Sequence, residues 1–384
     1  MNDAHIRTPA TKITDHIGKQ GTIIMYQSFE VTNFRCFHEL NVTNLERVNL
    51  IAGVNNVGKT TLLEALFIHC GAYNPQLTLR LNAFRGIGSV TVEIGRMAET
   101  PWDSLFSEFD TSKEIKLEGD DKETGVRVLR LNMVSQTEEI AKISSLIQGS
   151  PDMVGEISSS LEFPMVLKLK NEENGQNSYY MILDQGGIRA HPIPPPPPFQ
   201  TIRIGSWDRT PVKEDAERFG KLEIKDQLDV LTDALKIIEP RLRRLSVIVV
   251  GDTPMIHGTI DGLKRPVPLP FMGEGIARLT SMVLAIGNSS NGVVLVDEIE
   301  NGFHHSVLHK VWQVIGEAAR RFDTQVFATT HSIECIVAAH RAFMESEIYD
   351  FRLHRLERMG ETIHDVTYSQ EVLEAAIEMG LEVR

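Results

Sequence analysis

Apolar positions change their period along this chain, and the changes mark out its elements. Residues 1–24 are polar and aperiodic and read as an extension. From Tyr26 to Phe37 aromatic and β-branched residues alternate roughly with polar ones, which predicts a strand. Residues 48–53 are apolar almost throughout, as in a strand at the centre of a parallel sheet. The next run carries apolar residues at 62, 63, 66 and 67, a helical period. Residues 113–133 and 164–184 each read as a β-hairpin, the second turning at Asn174-Gly175, and 137–161 is more helical. Five prolines, 194–198, must be extended and read as a stiff connector. Residues 212–244 return to a helical period through Leu228, Val230, Leu231, Leu235 and Ile238, with Arg241, Arg243 and Arg244 at its end. From 245 strands and helices alternate: strand 246–251, a helix from Gly275, strand 292–298, helix 305–321 and strand 325–331. That alternation predicts a layered α/β sheet. No internal repeat and no long heptad run is visible.

Chemistry concentrates at three strand ends. Residues 53–60 read Gly-Val-Asn-Asn-Val-Gly-Lys-Thr, the full GxxxxGK[ST] pattern, with a strand before it and a helix after it. Gly53 and Gly58 let the backbone curl, and the N–H groups around Asn55, Asn56, Val57 and Thr61 are expected to face the phosphates of ATP. The helix start adds a positive dipole. Lys59 would reach the β- and γ-phosphates and the Thr60 hydroxyl would ligate Mg²⁺. The second end is Val-Val-Leu-Val-Asp-Glu at 293–298: Asp297 would hold the Mg²⁺, and Glu298 would polarise the attacking water. The third is His331, which closes an apolar strand one helix later and is expected to sense the γ-phosphate. His305 and His309 share a helix face beside His304, but no third ligand accompanies them and a metal site is not expected there.

Composition narrows the classes. The chain has 384 residues, 42% hydrophobic and 24% charged, which excludes disorder and fibrous repeats and suggests two or three domains. Thirty-nine Lys+Arg against 52 Asp+Glu leave a net charge of −13, which argues against a general coat for DNA. Cys36, Cys70 and Cys335 form no CxxC pair and read as core residues of a reducing compartment. The sequence lacks an 18-residue apolar run and an apolar leader, so a cytoplasmic protein without membrane contact is expected.

The opening FEVTNFRCF…LNVTNLERVNLIAGVNNVGKTTLLEAL resembles the N-terminal segment of RecF, SMC and OLD-type ATPases, which are ABC-class ATPases. The resemblance runs through NPQLTLRLNAFRG (74–86), WDSLF (102–106), LKRPVPLPFMGEGIARL (263–279), VVLVDEIENGFHH (293–305) and QVFATTHSIECI (325–336), and is greatest to small stand-alone ATPases of the OLD-like group. It implies an ABC-type P-loop head with a β-hairpin subdomain and a helical insertion. The implied division is an extension (1–24), a first part of the head (25–199), the insertion (200–245) and a second part of the head (246–384). Phe271-Met272-Gly273-Glu274-Gly275 holds the place of the signature loop, although it departs from LSGGQ; Gly273, Glu274 and Gly275 would bind the γ-phosphate across a dimer. Glu300-Asn301-Gly302 would lie at the same interface, Asn33, Phe34 and Arg35 would approach the nucleotide, and Gln76 is the candidate Q-loop glutamine.

The function so implied is an ATP-gated sensor, a homodimer or higher oligomer through its ATP sites, serving bacterial antiphage defence with a separate nuclease or toxin as effector. No intrinsic nuclease is expected, because the 53 residues after His331 hold no E…DxD cluster. The alternative is a RecF/SMC-like repair clamp that binds nucleic acid through Arg241, Arg243 and Arg244.

Overall fold

The computed structural model describes residues 25–71, 74–85, 100–122, 125–147, 153–155, 164–172, 177–184, 187–197, 199–206 and 210–384. The chain begins with β1 (Tyr26–Phe34), β2 (Phe37–Thr43), β3 (Val48–Ala52), α1 (Lys59–Cys70) and α2 (Leu77–Phe84). Next come β4 (Ile115–Asp121), β5 (Gly125–Val134), α3 (Thr137–Ile147), β6 (Met153–Gly155), β7 (Met165–Asn171), β8 (Asn177–Asp184) and β9 (Gly187–His191). Then follow β10 (Thr201–Ile204), α4 (Val212–Ile224), α5 (Leu228–Lys236), β11 (Leu242–Val250), β12 (Thr253–Ile260), β13 (Val267–Pro268) and α6 (Glu274–Asn288). The last part holds β14 (Val293–Val296), α7 (His305–Arg321), β15 (Gln325–Thr329), α8 (Ile333–Met344), β16 (Phe351–Met359), β17 (Thr362–Tyr368) and α9 (Gln370–Glu378).

A six-stranded sheet runs β10-β14-β15-β3-β16-β17, parallel from β10 to β16 and closed by an antiparallel β17. Its central strands β3, β14 and β15 are buried at every position, which explains why they read as continuous apolar runs. Register pairs Val296 with Ala328 and Thr329 with Ile51, so β14, β15 and β3 end together on one edge. Val48, Leu50, Val294, Val296 and Val326 pack on α6–α8, whereas Ile51, Val293, Leu295 and Phe327 face the other way, towards α1.

An eight-stranded antiparallel sheet, β2-β1-β4-β5-β7-β8-β9-β6, supplies the far wall of that second core. Helix α1 lies between the two sheets. Ten of its twelve residues are buried, which requires a helix apolar nearly all round. Its two buried ionisable groups, Glu64 and His69, are paired. Glu64 meets Arg35 at 3.1 Å and Arg85 through two contacts of 2.9 Å. His69 Nδ1 lies 2.8 Å from the Tyr26 hydroxyl, and burial with the Arg127 guanidinium beside it pushes the ring's pKa well down.

Both hairpins fall where the alternation put them, as β4–β5 and β7–β8. Residues 200–245 are not one helical unit: Thr201–Ile204 joins the parallel sheet beside β14, and the helices start at Val212. Residues 246–251 leave the parallel sheet for a three-stranded antiparallel one, β11-β12-β13, where Val247 and Val249 stay exposed. Arg243 and Arg244 therefore sit on a strand, and α5 already ends at Lys236. Within the helical reading of 137–161 the described residues hold α3 to Ile147 and strand β6 at Met153–Gly155; 148–152 and 156–161 lie outside the described residues. Pro194–Pro197 carry no helix or strand between β9 and β10; the extension 1–24 and Pro198 lie outside the described residues.

Candidate active site

The loop after β3 is shaped by three left-handed residues, Gly53 (φ +140°), Asn56 (φ +61°) and Gly58 (φ +102°). At two of them glycine is also required by space. A Cβ on Gly53 would stand 2.7 Å from the Leu356 carbonyl oxygen, and one on Gly58 would stand 2.7 Å from the Phe37 ring. Helix α1 then starts at Lys59 with no side-chain cap and no acid in its first turn, so its leading N–H groups point to an anion site. Lys59 Nζ donates to the carbonyls of Gly53 at 2.6 Å and Val54 at 3.0 Å. Burial lowers the Lys59 pKa, against the opposing pull of Glu298, Glu300 and Asp297.

Opposite the loop, β14 delivers Asp297 and Glu298. The Thr329 hydroxyl, at the end of β15, accepts from the Glu298 N–H at 2.8 Å and donates to Asp297 Oδ1 at 2.7 Å, so one side chain sets both acids. Thr60 Oγ1 donates to the same carboxylate at 3.1 and 3.2 Å. Glu298 sits at φ +47°, an uncommon conformation for a residue with a Cβ. It is held there by the Thr329 contact and by Arg278, whose Nη2 donates to the carbonyls of Asp297 at 2.8 Å and Glu298 at 2.9 Å. Asn301 Nδ2 donates to Glu298 Oε2 at 2.8 Å. His331 Nδ1 is 3.3 Å from Glu300 Oε1 and 4.0 Å from Glu298 Oε1.

These groups border a cavity of about 780 Å³. Asn55, Asn56, Gly58, Lys59, Thr60, Thr61, Asp297 and Glu298 line it. Gly53 and Val57 support the loop from behind, Val57 being buried against the core. His331 stands beside Glu298 just outside the wall. Asn33, Phe34 and Arg35 are not among the residues that line the cavity. Asn33 donates to the Glu114 carbonyl at 3.0 Å, Phe34 is fully buried, and Arg35 is drawn to Glu64; Cys36 takes their place. Gln76 is not among the lining residues either; it sits just before α2, its N–H donating to Asn74 Oδ1.

Gly273–Gly275 sit apart from the cavity in this chain. Gly273 (φ +108°) leads into α6, and a Cβ there would meet nothing within 4 Å. Gly275 packs on Gly302 and Phe303, and Glu274 lines a smaller cavity of about 190 Å³ with Asp215, Arg278 and Ser281. Sequence reasoning missed Phe84, Arg85, Arg203, Gly205, Ser206 and Thr329, all of which line the large cavity. Only Phe84, Arg85 and Thr329 lay within runs whose likeness to other ATPases was legible.

Thr60 and Asp297 offer adjacent hard oxygen donors, a fit to Mg²⁺, which takes one or two protein oxygens and completes its shell with water and phosphate. Among the described residues no group of three His, Cys, Asp or Glu could cage a metal. His309 instead meets Glu345 at 3.1 Å. Arg241 is held by Glu239 through two 2.9 Å contacts, and Arg243 by Asp261 at 2.6 Å. No described helix is long and apolar enough to cross a membrane.

Residues 48–336 match the family described as "AAA domain, putative AbiEii toxin, Type IV TA system". The chain is 24% identical to an "ATP/GTP phosphatase" of Helicobacter pylori over 91% of this chain and 97% of that one. A 116-residue stretch, 29% of the chain, is 30% identical to an uncharacterised protein of Methanocaldococcus jannaschii over 99% of its length. Among solved structures, an SMC head bound to the C-terminal winged-helix domain of ScpA aligns over 92% of this chain and 99% of that chain, at 13% identity and a TM-score of 0.48.

Proposed function

The chain belongs to that AAA-domain family, and from this premise we propose that it is an Mg²⁺-dependent ATP hydrolase working as an ATP-gated dimer. The observation that carries the reading is the meeting of three elements at one sheet edge. An uncapped helix start with its lysine faces a carboxylate already bonded to Thr60, and a second carboxylate on the cavity wall accepts from Asn301 through one oxygen only. The name of the Helicobacter pylori relative supports nucleotide hydrolysis.

In this reading the N–H groups of Asn55 to Thr61 cradle the β- and γ-phosphates, and Lys59 exchanges its two loop carbonyls for phosphate oxygens. Mg²⁺, held by Thr60 and through water by Asp297, would supply charge neutralisation on those oxygens. Glu298 polarises the attacking water, with Asn301 holding one carboxylate oxygen and leaving the other for the water. His331, beside Glu298, donates to the charge that develops on the γ-phosphate. Gly273–Gly275 would close the site of a second copy, because Gly273 and Glu274 are exposed and none of the three reaches the cavity of its own chain.

The biological setting proposed is antiphage defence in the cytoplasm, with a separate nuclease or toxin as effector; the toxin–antitoxin wording of the family description supports it. A nucleic-acid clamp has less support, since acids hold Arg241 and Arg243.

Lys59→Ala should abolish nucleotide binding. Glu298→Gln should bind ATP normally and turn it over 10²- to 10⁴-fold more slowly, in the range of lost general-base catalysis. Wild-type turnover in both variants refutes the assignment. Light scattering on Glu298→Gln should double the mass when ATP is added; an unchanged monomer refutes the shared site.

A further inference from the structure

Resting on this ATP reading, Arg203 has a place that neither the phosphate loop nor the acidic strand accounts for. It projects from β10, in register with Leu295 two residues before Asp297. The two side chains are 6% and 5% exposed, and Nη2 stands 3.4 Å from Asp297 Oδ2. That is long for a charged pair, which closes to about 2.7–2.9 Å when nothing restrains it. A second attraction lies beside it: the guanidinium carbon is 4.4 Å from the centroid of the Phe84 ring. Arg203 is therefore poised between a carboxylate and an aromatic face, on the wall of the cavity that Arg85 also lines.

Asp297 is shared by three groups. Thr60 and Thr329 are neutral hydroxyls whose contacts are compatible with a cation on the same carboxylate. Arg203 is not: a guanidinium and a dication on one carboxylate repel each other. A buried carboxylate also needs a counter-charge at all times, because leaving it bare is costly.

We propose that Arg203 is a built-in competitor of the divalent cation for Asp297. The cation displaces the guanidinium from the carboxylate, and the guanidinium turns along Phe84 to the nucleotide's phosphate oxygens. Charge at Asp297 stays balanced in both arrangements. Arg203 is then a positioning residue that sets how much Mg²⁺ the site demands.

The experiment uses the full chain and a fluorescent ATP analogue, read by binding rather than turnover, in EDTA and across a Mg²⁺ titration. Arg203→Met should lower the Mg²⁺ concentration for half-saturation about ten-fold, the worth of one charged hydrogen bond. In EDTA the same variant should bind the analogue about ten-fold more weakly, since Asp297 then confronts the phosphates uncompensated. Phe84→Leu should shift the Mg²⁺ midpoint the other way, because the guanidinium loses its second resting place. Equal weakening with and without Mg²⁺ at an unchanged midpoint overturns the proposal and makes Arg203 a plain phosphate ligand. No change in either reading also overturns it. Should Arg203→Met fail to fold, Arg203→Lys decides: its weaker grip should lower the midpoint, and an unmoved midpoint is fatal. Wild-type protein that binds no nucleotide would refute the ATP reading instead.

Discussion

Gly58 and Gly273 share a positive φ and a place before a helix, and differ in ψ (+13° against +153°) and in everything around them. Gly58 has φ +102° and Gly273 φ +108°, each just before a helix start. Around Gly58 the chain is closed: the Phe37 ring and Cys36 Sγ fill the space a side chain would take. Around Gly273 it is open, and the neighbouring Phe271 is 80% exposed. Packing therefore dictates glycine at the phosphate loop, whereas at 273 only the backbone does. A surface that keeps a strained, open glycine and an exposed phenylalanine at a helix start is one that something outside the chain should cover. In the proposed dimer, Gly58 belongs to the half of the site that its own chain supplies and Gly273 to the half that a second copy would meet.

Gly58→Ala should break the closed region hardest. It combines a left-handed alanine with a clash against Phe37, together about 3 kcal/mol of lost stability. Urea unfolding measures the loss, and nucleotide binding should vanish with it. Stability within 1 kcal/mol of wild type would contradict the packing argument.

Thr329→Val tests how the closed side aims its acids. The substitution keeps volume and removes the hydroxyl that joins Glu298 to Asp297. A cost of about 1–3 kcal/mol follows from the unsatisfied Glu298 N–H. Hydrolysis should fall more than nucleotide affinity does, because the general base loses its orientation while the loop is untouched. An equal fall in both would mean that Thr329 supports only the fold.

Gly273→Ala probes the open side. No atom obstructs the methyl group, so only backbone strain of about 1–3 kcal/mol is expected. Nucleotide binding by the single chain should survive. ATP-driven doubling of mass and turnover should drop together, which light scattering and phosphate release can follow in parallel. Normal turnover would remove 271–275 from the site.

How much of this was legible in the sequence follows the same division. Strands β3, β14 and β15 announced themselves because burial on both faces leaves mostly apolar runs, interrupted only by the buried Asn49, Gln325 and Thr329. The phosphate loop did so because its chemistry lies in consecutive residues. Arg203 and Ser206 gave no signal: their place depends on β10 pairing with β14 across some ninety residues, and a four-residue strand has too few positions to show a period. The resemblance put Asn33–Arg35 near the nucleotide but could not say which side chains line the cavity: Arg35 pairs with the buried Glu64, whose other partner, Arg85, is in the wall. The segment 246–251 looked like a core strand by composition, yet Val247, Val249 and Val250 remain exposed on β11. Apolar character alone does not say which sheet a strand will join.

The smallest effect concerns Asp215, which anchors the open side. Ser281 of α6 donates to its Oδ2 at 2.6 Å, tying α4 to the helix that Gly273 begins. Burial raises the Asp215 carboxyl to about 6, against the smaller opposing pulls of Ser281 and Arg218. The folded state thus holds a proton that the unfolded chain, with its ordinary carboxyl near 3.8, releases earlier. A raised carboxyl contributes fully below the unfolded value and loses that contribution as pH climbs from about 4 to about 6, by at most roughly 3 kcal/mol. Asp215→Asn carries no such proton, yet its amide oxygen can still accept from Ser281. Arg218 loses a weak 3.5 Å partner and keeps Glu214. The variant should therefore match or exceed wild type at pH 7.5, by about 1 kcal/mol, and lose that advantage towards pH 4. Denaturant midpoints of both proteins across this range give the test. A variant less stable than wild type at pH 7.5, with a gap that does not change with pH, would mean that Asp215 works as a charged partner of Arg218 and that α6 rests on an ion pair.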